Sequence, residues 1–223
     1  MSFELQDPGI ADCTFCSIMA GDKEALWESR PTGDPRVGCF HNRLKWARVM
    51  LLIVPTQHFT QQQLWSSDVL IHATRLAIEM GDKHCGAEGY RAISNFGLQA
   101  HQSQVHAHIH IVSGTSKQLQ SATRKSSLES TECTPVVEYD VDESPFAARI
   151  TPSVAMSQRE MWDSGQMLET SNQALKTSET HSPNGFRLMS SFEPSLTSNP
   201  NQTAGENPAS LFLLGGGQLG LYV

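Results

Sequence analysis

The chain repeats itself. Phe59-Thr60-Gln61-Gln62-Gln63-Leu64-Trp65 is echoed by Met156-Ser157-Gln158-Arg159-Glu160-Met161-Trp162, and the spacing from Trp65 to Trp162 also relates His84 to His181 and Pro55 to Pro152. One residue shorter, Gly89-Tyr90-Arg91 returns as Gly185-Phe186-Arg187, and Ser94-Asn95-Phe96 as Ser190-Ser191-Phe192. A collinear series of this kind signals duplication, and a duplicated unit has to fold in the same way twice. The 223 residues leave room for two small units. We read 1–115 as the first, 138–223 as the second and 116–137 as the linker between them, because 116–134 is polar and rich in Ser and Thr.

Within the first unit, Arg48-Val49-Met50-Leu51-Leu52-Ile53-Val54 is an apolar run ended by Pro55, as expected of a buried strand. Helical spacing runs over 64–84, with Leu70, Ala73, Leu76, Ala77 and Met80 on one face and Arg75, Glu79, Asp82 and Lys83 on the other. Gly86 and Gly89 close that helix. Tyr90-Arg91-Ala92-Ile93-Ser94-Asn95 is a second strand and 104–112 a third, stopped by Ser113-Gly114. The class is α+β: two units, each an antiparallel sheet with a long helix.

The third strand carries the chemistry. In Val105-His106-Ala107-His108-Ile109-His110-Ile111-Val112 the alternation puts three imidazoles on one face and leaves Ala107, Ile109 and Ile111 for a core. A solvated histidine face and a metal cluster are the bland readings. The sharper one is nucleophilic: a neutral imidazole nitrogen attacks phosphorus when the other ring nitrogen donates to a fixed acceptor. Ser103, just before the strand, reaches a phosphate oxygen or the leaving atom. The second unit has Ala209-Ser210-Leu211-Phe212-Leu213-Leu214-Gly215-Gly216-Gly217 instead, so strand character survives there without the histidines. No Lys-Ser or Lys-Thr follows those glycines, which reads as a tight turn and not a phosphate loop.

A net charge of −7 argues against a sequence-independent grip on nucleic acid polymers. No apolar run is long enough for a transmembrane helix, and the first 21 residues lack the pattern of a secretory leader, so a cytoplasmic protein is expected. Five cysteines fit poorly with a closed disulfide framework. Cys39, Cys85 and Cys133 read as scattered small residues. Cys13-Thr14-Phe15-Cys16 is a CxxC, which alone fits a zinc knuckle, a redox pair or chance. Trp65 and Trp162 read as packing anchors; His72, His84 and His181 as surface or capping residues; the acidic stretch 138–143 as a solvated edge.

The run His106-Ala107-His108-Ile109-His110-Ile111-Val112 resembles the signature of the histidine triad (HIT) family. The likeness extends to Asn95-Phe96-Gly97, to Gln102-Ser103, to Phe40-His41-Asn42, to Ile53-Val54-Pro55-Thr56-Gln57-His58 and to the CxxC, covering 12–114 in order. It implies that His108 attacks the alpha-phosphate of a nucleotide conjugate, giving a nucleotidyl-histidine resolved by water or another acceptor. His110 would support the site, Asn95 and Ser103 would serve the phosphate and leaving group, Gln102 would bind the nucleotide, and Asn42 would lie near the ribose, with Phe40 and His41 in the same pocket. Zinc-carrying members imply a structural zinc on Cys13, Cys16, His58 and His106. Three positions depart from the pattern: Met50 where several hydrolases have another histidine, His101 where glycine is usual, and Lys45-Trp46-Ala47-Arg48 in place of a proline-containing stretch. The partner is then a small nucleotide substrate. Because family members pair as twofold dimers, the second unit is expected to stand in for a partner subunit, as a monomeric pseudo-dimer, with a homodimer as the other arrangement. A nucleotide-binding regulator with little catalysis is the alternative function.

Overall fold

The computed structural model describes residues 7–32, 37–114, 134–139, 145–194 and 209–216. The segment read as a linker, up to residue 133, with Cys133, most of the acidic stretch and Gly217, lies outside them. In chain order the elements are α1 (Gly9–Asp12), α2 (Thr14–Ala20), β1 (Trp27–Ser29), β2 (Val37–His41), β3 (Val49–Pro55), α3 (Gln61–Trp65), α4 (Val69–Cys85) and β4 (Tyr90–Phe96). After a 3-10 turn at Leu98–Ala100 come β5 (Ile109–Ser113), β6 (Val136–Tyr139), β7 (Ala147–Thr151), α5 (Gln158–Trp162), α6 (Gln166–His181), β8 (Phe186–Phe192) and β9 (Leu211–Gly215). The sheet therefore takes up Val136 and Val137, which the sequence reading left in the linker.

The nine strands of the described residues form one antiparallel sheet, in the order β1-β2-β3-β5-β4-β8-β9-β7-β6. From β2 onward the order is the same read from either end. β2, β3, β5 and β4 of the first half face β6, β7, β9 and β8 of the second, and the halves meet where β4 pairs with β8. That seam is stapled by stacked rings, Phe96 on Phe186 at 4.3 Å and Tyr90 on Phe192 at 4.5 Å.

Helices α3 to α6 cover one face of this sheet, and α2 packs on the other, with Phe15 and Ile18 against Phe40, Leu52 and Val54. The expected helix over 64–84 is in fact two pieces, broken at Ser66-Ser67-Asp68. The serine hydroxyls turn back onto the preceding turn, Ser66 donating to the Gln62 carbonyl at 2.7 Å and Ser67 to that of Leu64 at 3.0 Å. Such local bonds compete with helix continuation. The second half breaks at the same place, with Ser164 donating to the Met161 carbonyl. Both short helices open on a capping box, Thr60 with Gln63 and Ser157 with Glu160, a device worth about 1 kcal/mol.

One core runs through both halves. Trp65 and Trp162 are fully buried and meet edge to face at 6.3 Å. Leu70, Ala73, Ala77 and Met80 of α4 bury the expected face, while Leu76 is only partly covered. The helices are also tied across the halves: Ser171 donates to the Trp65 carbonyl, and Arg159 grips both oxygens of Asp82 at 2.8 and 3.2 Å. The exposed pair Arg75–Asp163 adds little, under about 1 kcal/mol. No helix among the described residues is long and apolar enough to cross a membrane.

Candidate active site

The histidine strand is shorter than its alternation suggests. β5 begins at Ile109, and 104–108 approach it as irregular chain, so His106 and His108 lie before the ladder. The backbone bonds there go elsewhere: Ala107 N–H donates to the Phe59 carbonyl at 2.7 Å. The alternation of faces nonetheless holds. Ala107, Ile109 and Ile111 are fully buried in the main core, and the imidazoles form a row on the other side, with His108 and His110 at 4.7 Å between ring centres.

His108 is held from behind. Its carbonyl accepts from Gln61 Nε2 at 2.9 Å and from the Ser94 hydroxyl at 3.1 Å, and Ser94 in turn accepts from the Trp65 indole at 3.2 Å. Its ring Nδ1 lies 2.9 Å from the His106 carbonyl. A carbonyl only accepts, so Nδ1 carries the proton and Nε2 keeps the lone pair. Burial lowers the His108 pKa, and His110 is held well below the ordinary value by burial first, then by His108 and Arg187. Both rings are therefore neutral at pH 7, the state nucleophilic attack needs.

Both rings line a cavity of about 1060 Å³, large for a single mononucleotide and near the upper end of small-molecule sites. One wall is apolar, made by Phe15, Ile18, Phe40 and Leu52. Asn95, Ser103 and Gln104 edge the histidine end, and Asn42, Arg43 and Lys45 the rim. Met50 is buried in the wall, and Trp46 is exposed at the mouth. His101 also lines the cavity, at φ 60, and among the described residues no other non-glycine has a positive φ. That left-handed backbone explains why glycine suits this position. His41 lines the cavity too, its Nε2 2.7 Å from Glu28, whose carboxyl is held below its usual range chiefly by that bond.

Gln102 sits differently from the expectation. Its amide oxygen accepts from Gly97 N–H at 2.8 Å and its nitrogen donates to the Gln104 carbonyl, so it closes the 97–104 loop and does not line the cavity. Sequence reasoning also passed over Phe15, whose ring meets His106, His108 and Phe40. Its position inside the CxxC was the available signal. Leu52 was equally readable, two residues beyond Met50 on the same strand.

Cys13, Cys16, His58 and His106 converge, their ligand atoms all within 4.8 Å of one another. The donor chemistry fits a metal ion. His106 Nε2 donates to the Pro55 carbonyl at 2.9 Å, which leaves the Nδ1 lone pair facing both sulfurs at 3.4 Å. His58 has the same layout, Nε2 toward Asp7 and Nδ1 3.2 Å from the Cys16 sulfur. Burial pushes His106 down to about 4 and, together with the neighbouring Cys13 thiol, pushes Cys16 up to about 11. Neutral imidazoles are ready ligands, and a cation between the sulfurs would reverse the thiol shift. Both cysteines are free thiols.

Residues 32–117 match the HIT domain family. Over that segment the chain is similar to HIT domains. An uncharacterized HIT-like protein of Chlamydia muridarum is 38% identical over 71 residues, 30% of this chain and 56% of that protein, so the chain spans little more than half of that curated relative. Among solved structures, a HIT family hydrolase from Clostridium thermocellum (26% identity, TM-score 0.43) and a histidine triad protein from Clostridium difficile (26%, 0.41) each cover 49% of this chain and 96% of their own. A DUF4931 family protein from Bacillus cereus covers 79% of this chain and 92% of its own at 10% identity, TM-score 0.48. The HIT domain match starts after the CxxC, so the candidate metal centre joins the domain to the helices before it.

Proposed function

We propose that the chain hydrolyses or transfers nucleoside monophosphate groups through His108. The supporting observation is the fixed tautomer: Nδ1 bonded to the His106 carbonyl, Nε2 left with its lone pair, the ring at the cavity. In the first step Nε2 forms a bond to the alpha-phosphorus while the bond to the leaving group breaks, its electron pair departing with that group. Ser103 hands a proton to the leaving atom, and the water or other acceptor of the second step returns one to the Ser103 oxygen as it attacks. Water, or another acceptor, then takes the nucleotidyl group and releases the imidazole. Asn95 and the Ser103 hydroxyl steady the phosphoryl oxygens. The apolar wall of Phe40 and Leu52 holds the base, with Asn42 toward the ribose. Adenosine phosphoramidates, adenylylated molecules and dinucleoside polyphosphates are the substrate classes.

Cys13, Cys16, His58 and His106 would hold zinc, which supplies a structural cross-link and no chemical step. The second half is a degenerate HIT-like unit that replaces a partner subunit, giving an intramolecular pseudo-dimer of a catalytic unit, 1–115, and a supporting one, 138–223. The protein works in the cytoplasm, where thiols stay reduced, without nucleic acid polymers or membrane.

The test is AMP release from an AMP phosphoramidate. Wild-type protein should turn over, and His108→Ala should lose roughly 10⁴-fold or more in kcat, as removal of a nucleophile does, with the fold intact. Unchanged turnover in His108→Ala would remove the assignment. Met50, an apolar side chain in the cavity wall, favours a second reading: a nucleotide-binding regulator with little chemistry. Saturable AMP binding with no release from the phosphoramidate would establish that one instead.

A further inference from the structure

We propose that Arg187, which belongs to the second half, is a positioning residue for Asn95 in the first-half site. The inference rests on the function proposed above and names a part of that site outside the HIT domain.

The register of β4 against β8 sets Asn95 opposite Arg187 and Arg91 opposite Ser191. Arg187 is 2% exposed, and its guanidinium stays charged at every relevant pH. Burying such a charge is costly unless its donors are met. Its Nε donates to Asn95 Oδ1 at 2.8 Å, and a terminal nitrogen donates to the Ala100 carbonyl at 3.3 Å.

Two consequences follow from those bonds. With its oxygen turned to Arg187, the Asn95 amide is oriented so that its NH₂ group points the other way, as a donor. Asn95 borders the cavity beside His108 and His110, where the proposed reaction places the phosphoryl oxygens. The second bond pins the turn at Leu98–Ala100, which leads directly into His101 and Ser103. The second half presses on that turn elsewhere too: a Cβ at Gly185 would fall 2.9 Å from the Phe96 carbonyl and 3.1 Å from Gln99.

The two halves supply an internal control. The repeat matches Arg91 with Arg187 and Asn95 with Ser191, so a symmetric pair would hold two Asn–Arg contacts. Only one is present, and it is the one beside the histidines. Where the histidines are missing, Ser191 has replaced the asparagine. The second half has lost its own imidazoles and kept the arginine that reaches the first half's site.

The experiment is a double-mutant cycle of Arg187→Gln and Asn95→Ala, read as AMP release from the phosphoramidate. Arg187→Gln should lower kcat by about 10- to 100-fold, the range for misplacing a polar group that serves the transition state, with KM within about threefold. Adding it to Asn95→Ala should cost no more than about twofold further, because both act through one contact. Arg187→Lys, which keeps a charge and a donor, should recover part of the loss, and it replaces Gln in the cycle if the Gln variant does not fold. A folded Arg187 variant with wild-type kcat, or losses that multiply in full, would overturn the proposal. If wild-type protein releases no AMP, the proposed function fails by itself. The same cycle is then read as AMP affinity by calorimetry, where coupling supports the Arg187–Asn95 role and additivity overturns it.

Discussion

The two halves of this chain are built on the same supports and differ in what the supports carry. In the first, the Trp65 indole donates to Ser94, and Ser94 donates to the carbonyl of His108. In the second, the Trp162 indole donates to Ser190, and Ser190 donates to the carbonyl of Ser210. Gln61 serves the first relay through the same carbonyl, and Gln158 serves the second through Ser190 and the Ser210 N–H. The relay is therefore a feature of the fold, present whether or not an imidazole is there to be held. One copy holds up an imidazole; the other holds up a serine beside a strand that closes an apolar cluster of Ile93, Val112, Ala147, Met189 and Leu214. The histidines are separable from the scaffold that holds them. Removing the second half would bare Trp65, Phe96 and Tyr90, and would leave Asn95 without Arg187.

Truncating the tryptophans gives the largest expected effect. Trp65→Ala and Trp162→Ala should each cost about 3–5 kcal/mol in urea unfolding, as large aromatic deletions do. Because the two rings touch, the double variant should cost less than the sum. Two separate transitions, or full additivity, would break the picture of one shared core. Next come the serines. Ser94→Ala and Ser190→Ala each leave a buried indole N–H and a carbonyl short of a partner, at about 1–3 kcal/mol. Equal losses of stability with a fall in kcat for Ser94→Ala alone would sharpen the comparison, whereas an equal fall in kcat for both would blur it.

The smallest effect is a pH dependence. His108 and His110 are neutral in the folded chain because burial lowers their pKa, while in the unfolded chain they titrate near the ordinary value of about 6.5. Below that value the unfolded chain binds more protons, so the stability they contribute is present above about pH 6.5 and is lost as pH falls. His181, exposed, is the second half's sole histidine. Hydrogen exchange at pH 5 compared with pH 7, corrected for its intrinsic slowing at lower pH, should therefore quicken more in β5 than in β9. The same acceleration in both strands would show that the histidines are not its cause.

How much of this could be read from the sequence follows the range of the interactions. The alternation of His106, His108 and His110 survives because a period of two fixes which face a side chain takes, even where the ladder has not begun. The convergence of Cys13, Cys16, His58 and His106 was readable only through family likeness, since no spacing brings residue 13 to residue 106. The helix break at Ser66-Ser67 was missed because hydrophobic periodicity runs straight across it and the deciding bonds come from the hydroxyls. Gln102 was placed at the nucleotide through family likeness, and its amide bonds inside its own loop. Arg187 was seen as one more matched letter in the repeat. Its meaning depends on the register of β4 against β8, which neither strand's sequence states.

The central claim is that His108 alone, of nine histidines, bonds to phosphorus. Rapid acid-free quenching of the protein with an AMP phosphoramidate, followed by peptide mass spectrometry, tests it directly. One AMP adduct on the peptide bearing His108, absent from His108→Ala, is the expected result. Turnover accompanied by an adduct on any other side chain, or undiminished in His108→Ala, would contradict it.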